Sequence, residues 1–486
     1  MTNPTHPPFT QAHRIPYRDL FLTRRDFLNR CGMGFGALGL AGLLGADELV
    51  GSARAQGSSD LSPLSPKNTH FPAKAKRVIH LFMNGGQSHV DTWDPKPELA
   101  KYEGKPLPGI GGVALPSPFK FNKAGKSGVE VSELFPNLAE RIDDIAVIRS
   151  MTTDIPAHEF ATLLMNTGNG RIMRPSLGSW VTYGMGTLNQ NLPGYIAMCP
   201  DGFPTGGSPN WQCGYLPGAF QGTAVNTRFT EIEKLIENIR NGFTSLPEQR
   251  RQLDLLQQLN EVHLQQSQKD AQLEARIRSY ELAYQMQMEA TEAFDITKES
   301  AKMRELYGDG TQGRQLLIAR RLVERGVRFV QVWYGAGGPW DTHNGLETNL
   351  RRLAKGCDQA IAALLKDLKD RGMFEDTLVV CGSEFGRTPT KQVMDGNGGG
   401  AVIGRDHHSK SFTTWMAGGG VKGGIVFGAS DDFGYNVVEN KVHVHDLHAT
   451  ILNLLGFDHE KLTFRYQGRD FRLTDVYGKV VKDLIA

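Results

Sequence analysis

Histidines and carboxylates crowd a few short stretches of this chain rather than spreading evenly along it. His89-Val90-Asp91 and Asp341-Thr342-His343 have i, i+2 spacing, which in extended backbone puts both side chains on one face. Arg405-Asp406-His407-His408 follows a glycine-rich stretch, 396–404, that allows its polar groups to fold over a neighbouring surface. Imidazole and carboxylate together suit Zn²⁺, Mn²⁺ or Fe²⁺, whereas a site built only from Asn84, Asp91, Glu384 and carbonyl oxygens suits Ca²⁺ or Mg²⁺. A lone His-x-Asp is more often a satisfied hydrogen-bonded pair than a ligand pair. Three clusters, each beside a strand end, favour the site reading.

His158 stands apart from these clusters. It follows Asp154-Ile155-Pro156-Ala157 and opens an expected helix that ends at Thr167-Gly168. A helix N-terminus favours anions and disfavours imidazolium, so a neutral His158 is suited to be a ligand, a base or a nucleophile. The competing reading is a histidine hydrogen-bonded under a loop. His443, His445, His448 and His459 read as structural, and Trp93, Trp340 and Trp415 as packing residues.

These residues need a frame to hold them. Arg77 to Met83 is an apolar run of strand length that delivers Asn84-Gly85-Gly86. Val327 to Tyr334 ends in Gly335-Ala336-Gly337-Gly338, and Thr377 to Cys381 ends in Gly382-Ser383-Glu384-Phe385-Gly386. Ligands in open α/β sheets bind outside the carboxyl ends of strands, so three such ends make an active-site layout. Between them, from Glu231 to about Met303, runs a helical texture with Leu255, Leu256, Leu259 and Val262 on one face. Further helices are expected over 350–370, feeding the third strand, and over 445–456 in the tail.

The 486 residues are 40% hydrophobic and 22% charged, which excludes a disordered polyelectrolyte and a polytopic membrane protein. Thr23-Arg24-Arg25-Asp26-Phe27-Leu28, the small and apolar run Cys31 to Leu44, and Ala53-Arg54-Ala55 follow the order of a twin-arginine export leader over 1–55. That leader holds 6 Arg and 4 acids, so 48 bases face 48 acids in the remainder. A neutral mature chain has no global field for phosphate backbones, and nucleic acid is not an expected partner. No stable membrane span is expected after cleavage, and the protein should be periplasmic or extracellular. Residues 56–76 read as a linker, and 77–486 as one domain with a helical insertion at about 228–312. Cys199 and Cys213 are close enough to bridge, and no C-x-x-C spacing supports a thiolate zinc site.

In this order, the strand with Asn-Gly-Gly, the His158…Thr167-Gly168 helix, Asp341-Thr342-His343, Ser383-Glu384-Phe385-Gly386, Gly404-Arg405-Asp406-His407 and the tail helix ending Leu454-Leu455-Gly456 resemble the alkaline phosphatase and sulfatase superfamily. More narrowly, the chain resembles the exported, sulfatase-like proteins of domain of unknown function 1501. The resemblance implies an α/β fold with an alkaline-phosphatase-like central, mostly parallel sheet flanked by helices. It places Asn84 at the first metal ligand, His158 at the nucleophile, and Asp341 and His343 at the Asp-and-His pair. Glu384 and Phe385 take the Asp-His pair, and His407 the last histidine. His89, Asp91 and Asp406 are possible additional ligands.

Departures from the superfamily pattern sharpen this expectation. Asn84 removes a charge, Phe385 removes an imidazole, and His158 replaces the usual hydroxyl or thiol. Asp341, His343 and His407 keep one metal centre; Asn84 and Glu384 leave only oxygen ligands in the other. No cysteine beyond the leader precedes x-Pro/Ala-x-Arg, so a formylglycine sulfatase is excluded. The expected protein is an exported, divalent-metal-dependent (Zn, Ca, Mg or Mn) hydrolase of small-molecule or glycan phosphate or sulfate esters. In it His158 is base or nucleophile, and Arg387 or Lys410 neutralises the substrate anion. The alternative is a non-catalytic binding or assembly protein of the cell envelope. Oligomeric state is not legible.

Overall fold

The computed structural model describes residues 63–236, 245–266, 289–395 and 401–486. The leader expected over 1–55 lies outside the described residues. So do 56–62 of the linker, 237–244 and 267–288 of the helical stretch, and 396–400 of the glycine loop.

A nine-stranded sheet carries the site. Its strands are β1 (Arg77–Phe82), β2 (Ile145–Thr152), β3 (Tyr195–Met198), β4 (Thr223–Val225), β5 (Phe329–Trp333), β6 (Thr377–Gly382), β7 (Phe412–Ala417), β8 (Ile425–Phe427) and β9 (Val442–His443). The order is β8-β2-β7-β6-β1-β5-β3-β4, with β9 also on β2. Only β7 runs antiparallel to its neighbours. β1 lies between β6 and β5, parallel to both, with Val78 level with Leu378 on one side and Phe329 on the other. The loops after these three strands therefore emerge side by side at one sheet edge, as the sequence led us to expect.

Alternation along β1 feeds two cores. Ile79 and Leu81 face one that includes helices α3 (Thr311–Glu324) and α4 (Leu346–Asp370) through Leu316, Leu353 and Leu364. Val78 and Phe82 face the other, with α2 (Leu177–Met185) and α5 (Val444–Leu454) contributing Trp180 and Ile451. Both sheet faces are covered, which is why the parallel strands read as continuous apolar runs. Helix α1 (His158–Thr167) starts at His158 and closes on Gly168 at φ 70°.

One expectation needs correction. His89 and Asp91 sit on a helical turn, His89–Thr92, and not on extended backbone. Cys199 and Cys213 are free, and burial pushes both thiols up in pKa, so neither is a bridge nor a reactive thiolate. In the helix Leu246–Gln266, Leu255 is 44% exposed, and the side chains of Leu259 and Val262 lie outside the described residues. Among the described residues, no helix is long and apolar enough to cross a membrane.

Candidate metal centre

Each ring of the site arrives on a different element. His158 is the first residue of α1, Asp341 and His343 lie in the irregular segment after β5, and His407 follows the glycine loop. Their ligand atoms all lie within 4.8 Å of one another. Asp341 Oδ1 is the meeting point: His343 Nε2 is 2.9 Å away, His158 Nε2 3.2 Å and His407 Nε2 3.4 Å. The Nε2 atoms of His343 and His407 stand 2.9 Å apart.

The opposite edge of each ring explains what those Nε2 atoms are. His158 Nδ1 lies 2.6 Å from Glu384 Oε1, His343 Nδ1 2.6 Å from Gln392 Oε1, and His407 Nδ1 2.9 Å from the Pro156 carbonyl. All three are oxygens that accept, so each Nδ1 donates a hydrogen, and an Nε2 that carries no second proton presents a lone pair to the cluster. Arg387 Nη1, a donor, faces His343 Nε2 at 3.4 Å, which fits the same tautomer. The three Nε2 atoms then converge on one carboxylate oxygen, to which Arg387 also donates. His158 Nε2 is buried 3.2 Å from Asp341 Oδ1, close enough to hold either a proton or a cation between them. A cation resolves this arrangement, and outer oxygen partners on histidine ligands are its usual companion. The donor set fits a divalent metal that takes nitrogen.

The charges around the cluster are graded by burial. Glu384 is fully buried and accepts from Gly85 N at 2.9 Å and from Ser383 Oγ at 2.8 Å. Burial opposes a charge on His158, but the hydrogen bonds and charges of Asp341 and Glu384 outweigh it and push the imidazole up to about 9. This reverses the neutral His158 expected from its helix N-terminus, because two carboxylates at this range exceed a terminal dipole. Burial likewise raises the Asp341 pKa, but His158, His407 and Arg387 together hold its carboxyl well below the usual range.

Gly85 shows how tightly the loops close beneath. At φ 115°, a β-carbon there would stand 2.6 Å from Asp341 N and 2.7 Å from Gly338 O. Only glycine lets the β1 loop approach the Asp341 segment. At Gly404 a β-carbon would meet His343 C at 2.1 Å, so a side chain there would push the loop before His407 off His343.

Several expected site residues do other work. Asn84 spends its amide on the loop after β5, donating to the Gly335 and Gly337 carbonyls and accepting from Tyr334 N, so it clamps rather than ligates. Glu384 supports His158 instead of facing the cluster centre. Arg387 is fully buried and donates to Gly85 O, Gly86 O, Arg405 O and Asp341, so it braces the floor and does not reach for substrate. Lys410 is exposed over the Tyr435 ring, with no described contact to the cluster. His89 Nε2 contacts Gly434 O at 2.8 Å, and Asp91 pairs with Arg405 at 2.7 and 2.9 Å. Asp406 is exposed and accepts from His407 N.

Sequence reasoning missed Gln392 and the Pro156 carbonyl. A backbone carbonyl leaves no mark in side-chain identity, and Gln392 lies 49 residues from the ring it orients. For His158, ligation was already one of the three roles open at that position. Phe385 walls one side, its ring 4.7 Å from His158 and 4.8 Å from His407.

A profile of the family described as protein of unknown function DUF1501 matches residues 75–485. None of the curated proteins compared with the chain matches it. Similar solved structures include the PsFucS1 sulfatase from Pseudoalteromonas sp., at 13% identity and TM-score 0.33 over 79% of this chain and 68% of that one. A variant of alkaline phosphatase from the Antarctic bacterium TAB5 gives 11%, 0.34, 79% and 99%. The lipoteichoic acid synthase LtaP from Listeria monocytogenes gives 9%, 0.34, 85% and 78%. At such scores the chemistry has to be argued from this chain's own residues.

Proposed function

The chain belongs to the DUF1501 family of proteins of unknown function, and from that premise we propose that it is an exported metal-dependent hydrolase of phosphate or sulfate esters. Its centre is one divalent ion on His158, Asp341, His343 and His407. The observation that carries this reading is the three histidines tied at Nδ1 to oxygen, with their Nε2 atoms gathered around one carboxylate oxygen. Three imidazoles favour Zn²⁺, Mn²⁺ or Fe²⁺ over Ca²⁺ or Mg²⁺. A bound ion of this kind polarises an ester oxygen and lowers the pKa of a bound water.

The chain's own residues set the charge and the access. Asp341 and Glu384 balance a divalent ion, and Arg387 leaves a net positive charge that suits an anionic ester. Side chains 32% exposed at Asp341 and 23% at His343 and His407 leave one face open to a substrate. His158, as a ligand, is no longer the attacking group, and Glu384 keeps its ring oriented.

One observation favours the non-catalytic alternative. Four protein ligands is the count of a closed, structural zinc site, which would make this a binding or assembly protein. Elemental mass spectrometry of the purified protein should find one equivalent of metal, lost in Asp341→Asn and in His407→Ala. No stoichiometric metal, before or after reconstitution with Zn²⁺, Mn²⁺ or Fe²⁺, overturns the proposal. A panel of aryl phosphate, phosphodiester and sulfate esters then separates the readings, since metal without turnover supports the closed site.

A further inference from the structure

A line of buried polar side chains runs through a core that apolar groups otherwise fill, and none of its members belongs to the metal cluster. Tyr195 in β3, Gln331 in β5, Asn166 in α1 and Asn210 in the short helix Ser208–Trp211 are each no more than 3% exposed. Tyr195 donates to Gln331 Oε1 at 2.6 Å, and Gln331 Nε2 to Asn166 Oδ1 at 2.5 Å. Asn166 Nδ2 donates to Asn210 Oδ1 at 3.2 Å and to the Thr162 carbonyl at 2.8 Å. Asn210 Nδ2 ends the line on two backbone carbonyls, Gly207 at 2.9 Å and Thr205 at 3.2 Å. Those carbonyls only accept, so Asn210 must turn its NH₂ to them and its oxygen to Asn166, and the same order passes back to Gln331 and Tyr195.

The loop that Asn210 holds grips a ligand-bearing segment. Thr205 N donates to the Gly337 carbonyl at 3.1 Å, and Gly337 N donates to the Phe203 carbonyl at 3.0 Å. Asn84 bonds the same Gly337 carbonyl from the β1 loop. Just beyond, Asp341 N closes a turn on the Gly338 carbonyl at 2.9 Å. Asn166, for its part, lies about two turns along α1 from His158. One hydrogen-bonded line therefore joins the helix that begins with His158 to the loop bonded to the segment that delivers Asp341.

Stability alone does not call for amides at these positions. A buried amide costs free energy unless its bonds are made, and apolar groups of the same shape can serve about as well. Bonded amides add direction, because a satisfied buried network specifies one arrangement of the elements it joins. We infer that Asn166 and Asn210 are positioning residues for the metal centre, fixing α1 and the loop 203–207 in the relation that brings His158 Nε2 to 3.2 Å from Asp341 Oδ1. This rests on the metal-centre reading above.

The test compares the two ends of the line in the full-length protein, by Zn²⁺ competition against a chelator and by denaturant unfolding of the metal-free form. Asn210→Ala deletes the bonds to the loop and should weaken Zn²⁺ binding about tenfold or more. Tyr195→Phe deletes the first donor and leaves the loop bonds in place, so it should lower the unfolding midpoint with Zn²⁺ affinity unchanged. Asn210→Ser takes the place of the alanine variant if that one does not fold. Parental Zn²⁺ affinity in the Asn210 variant overturns the inference and leaves the metal reading standing. A loss of affinity in Tyr195→Phe as large as in the Asn210 variant also overturns it, because the line then acts through stability alone. A parent that binds none of Zn²⁺, Mn²⁺ and Fe²⁺ fails the metal reading itself, and this inference fails with it.

Discussion

A histidine ligates only when its proton is elsewhere, and in this chain each of three rings has that proton placed by a different oxygen. Glu384 is the demanding case, because its two oxygens accept from the His158 ring, from Gly85 N and from Ser383 Oγ together. Glutamine has only one accepting atom there and turns an NH₂ towards one of those donors. Glu384→Gln should therefore weaken metal affinity by about 10–100-fold, measured by competition with a chelator, while far-ultraviolet circular dichroism stays unchanged. Unchanged affinity would show that His158 needs no carboxylate behind it. Asp341→Asn is expected to be far worse, since Oδ1 is the atom on which all three rings meet.

Elements decide which sequence patterns keep their meaning. The three strand ends were legible because strands buried on both faces are unbroken apolar runs, and Asn84, Gly335 and Ser383 mark where each stops. The i, i+2 rule succeeded at Asp341 and His343, in non-helical backbone, and failed at His89 and Asp91, where a helical turn sends alternate side chains to opposite sides. What that turn does instead is anchor the floor of the site. Asp91 and Arg405 form a fully buried two-bond pair, while Arg405 O accepts from Arg387 and Arg405 N donates to Thr342 O. Removing one partner strands a buried charge, so Asp91→Ala should cost about 3–5 kcal/mol in denaturant unfolding and lower metal affinity with it. Asp91→Leu/Arg405→Met should recover much of the stability, because the loss comes from the unpaired charge and not from missing packing. A double variant as unstable as the single one would contradict this.

Across the whole molecule, several histidines outside the cluster are held neutral, and together they set an acid limit on the fold. His80 sits within β1 between the Phe82 and Phe329 rings with neither nitrogen hydrogen-bonded, and burial lowers it to about 4. His448 in α5 donates from Nε2 to the Met165 carbonyl while its Nδ1 has no partner, and burial takes it to about 3. His408, against Tyr435 O, is lowered by burial to about 4. An unfolded histidine takes its proton near 6.5. Below that pH the unfolded chain therefore binds protons that these three folded sites refuse, and stability must fall as pH falls from about 6.5 towards 4. Each site contributes about 1.4 kcal/mol per pH unit within that window. His158 is displaced in the other direction in the bare cluster, and its contribution of opposite sign falls mainly above pH 6.5. The expected outcome is a denaturation free energy that drops steadily between pH 6.5 and 4.5. His80→Leu should remove one proton from that slope and cost little or nothing at pH 7.5, because it replaces two unpaired buried nitrogens with apolar atoms. Parallel curves for the parent and His80→Leu across this range would show that His80 is not neutral in the fold.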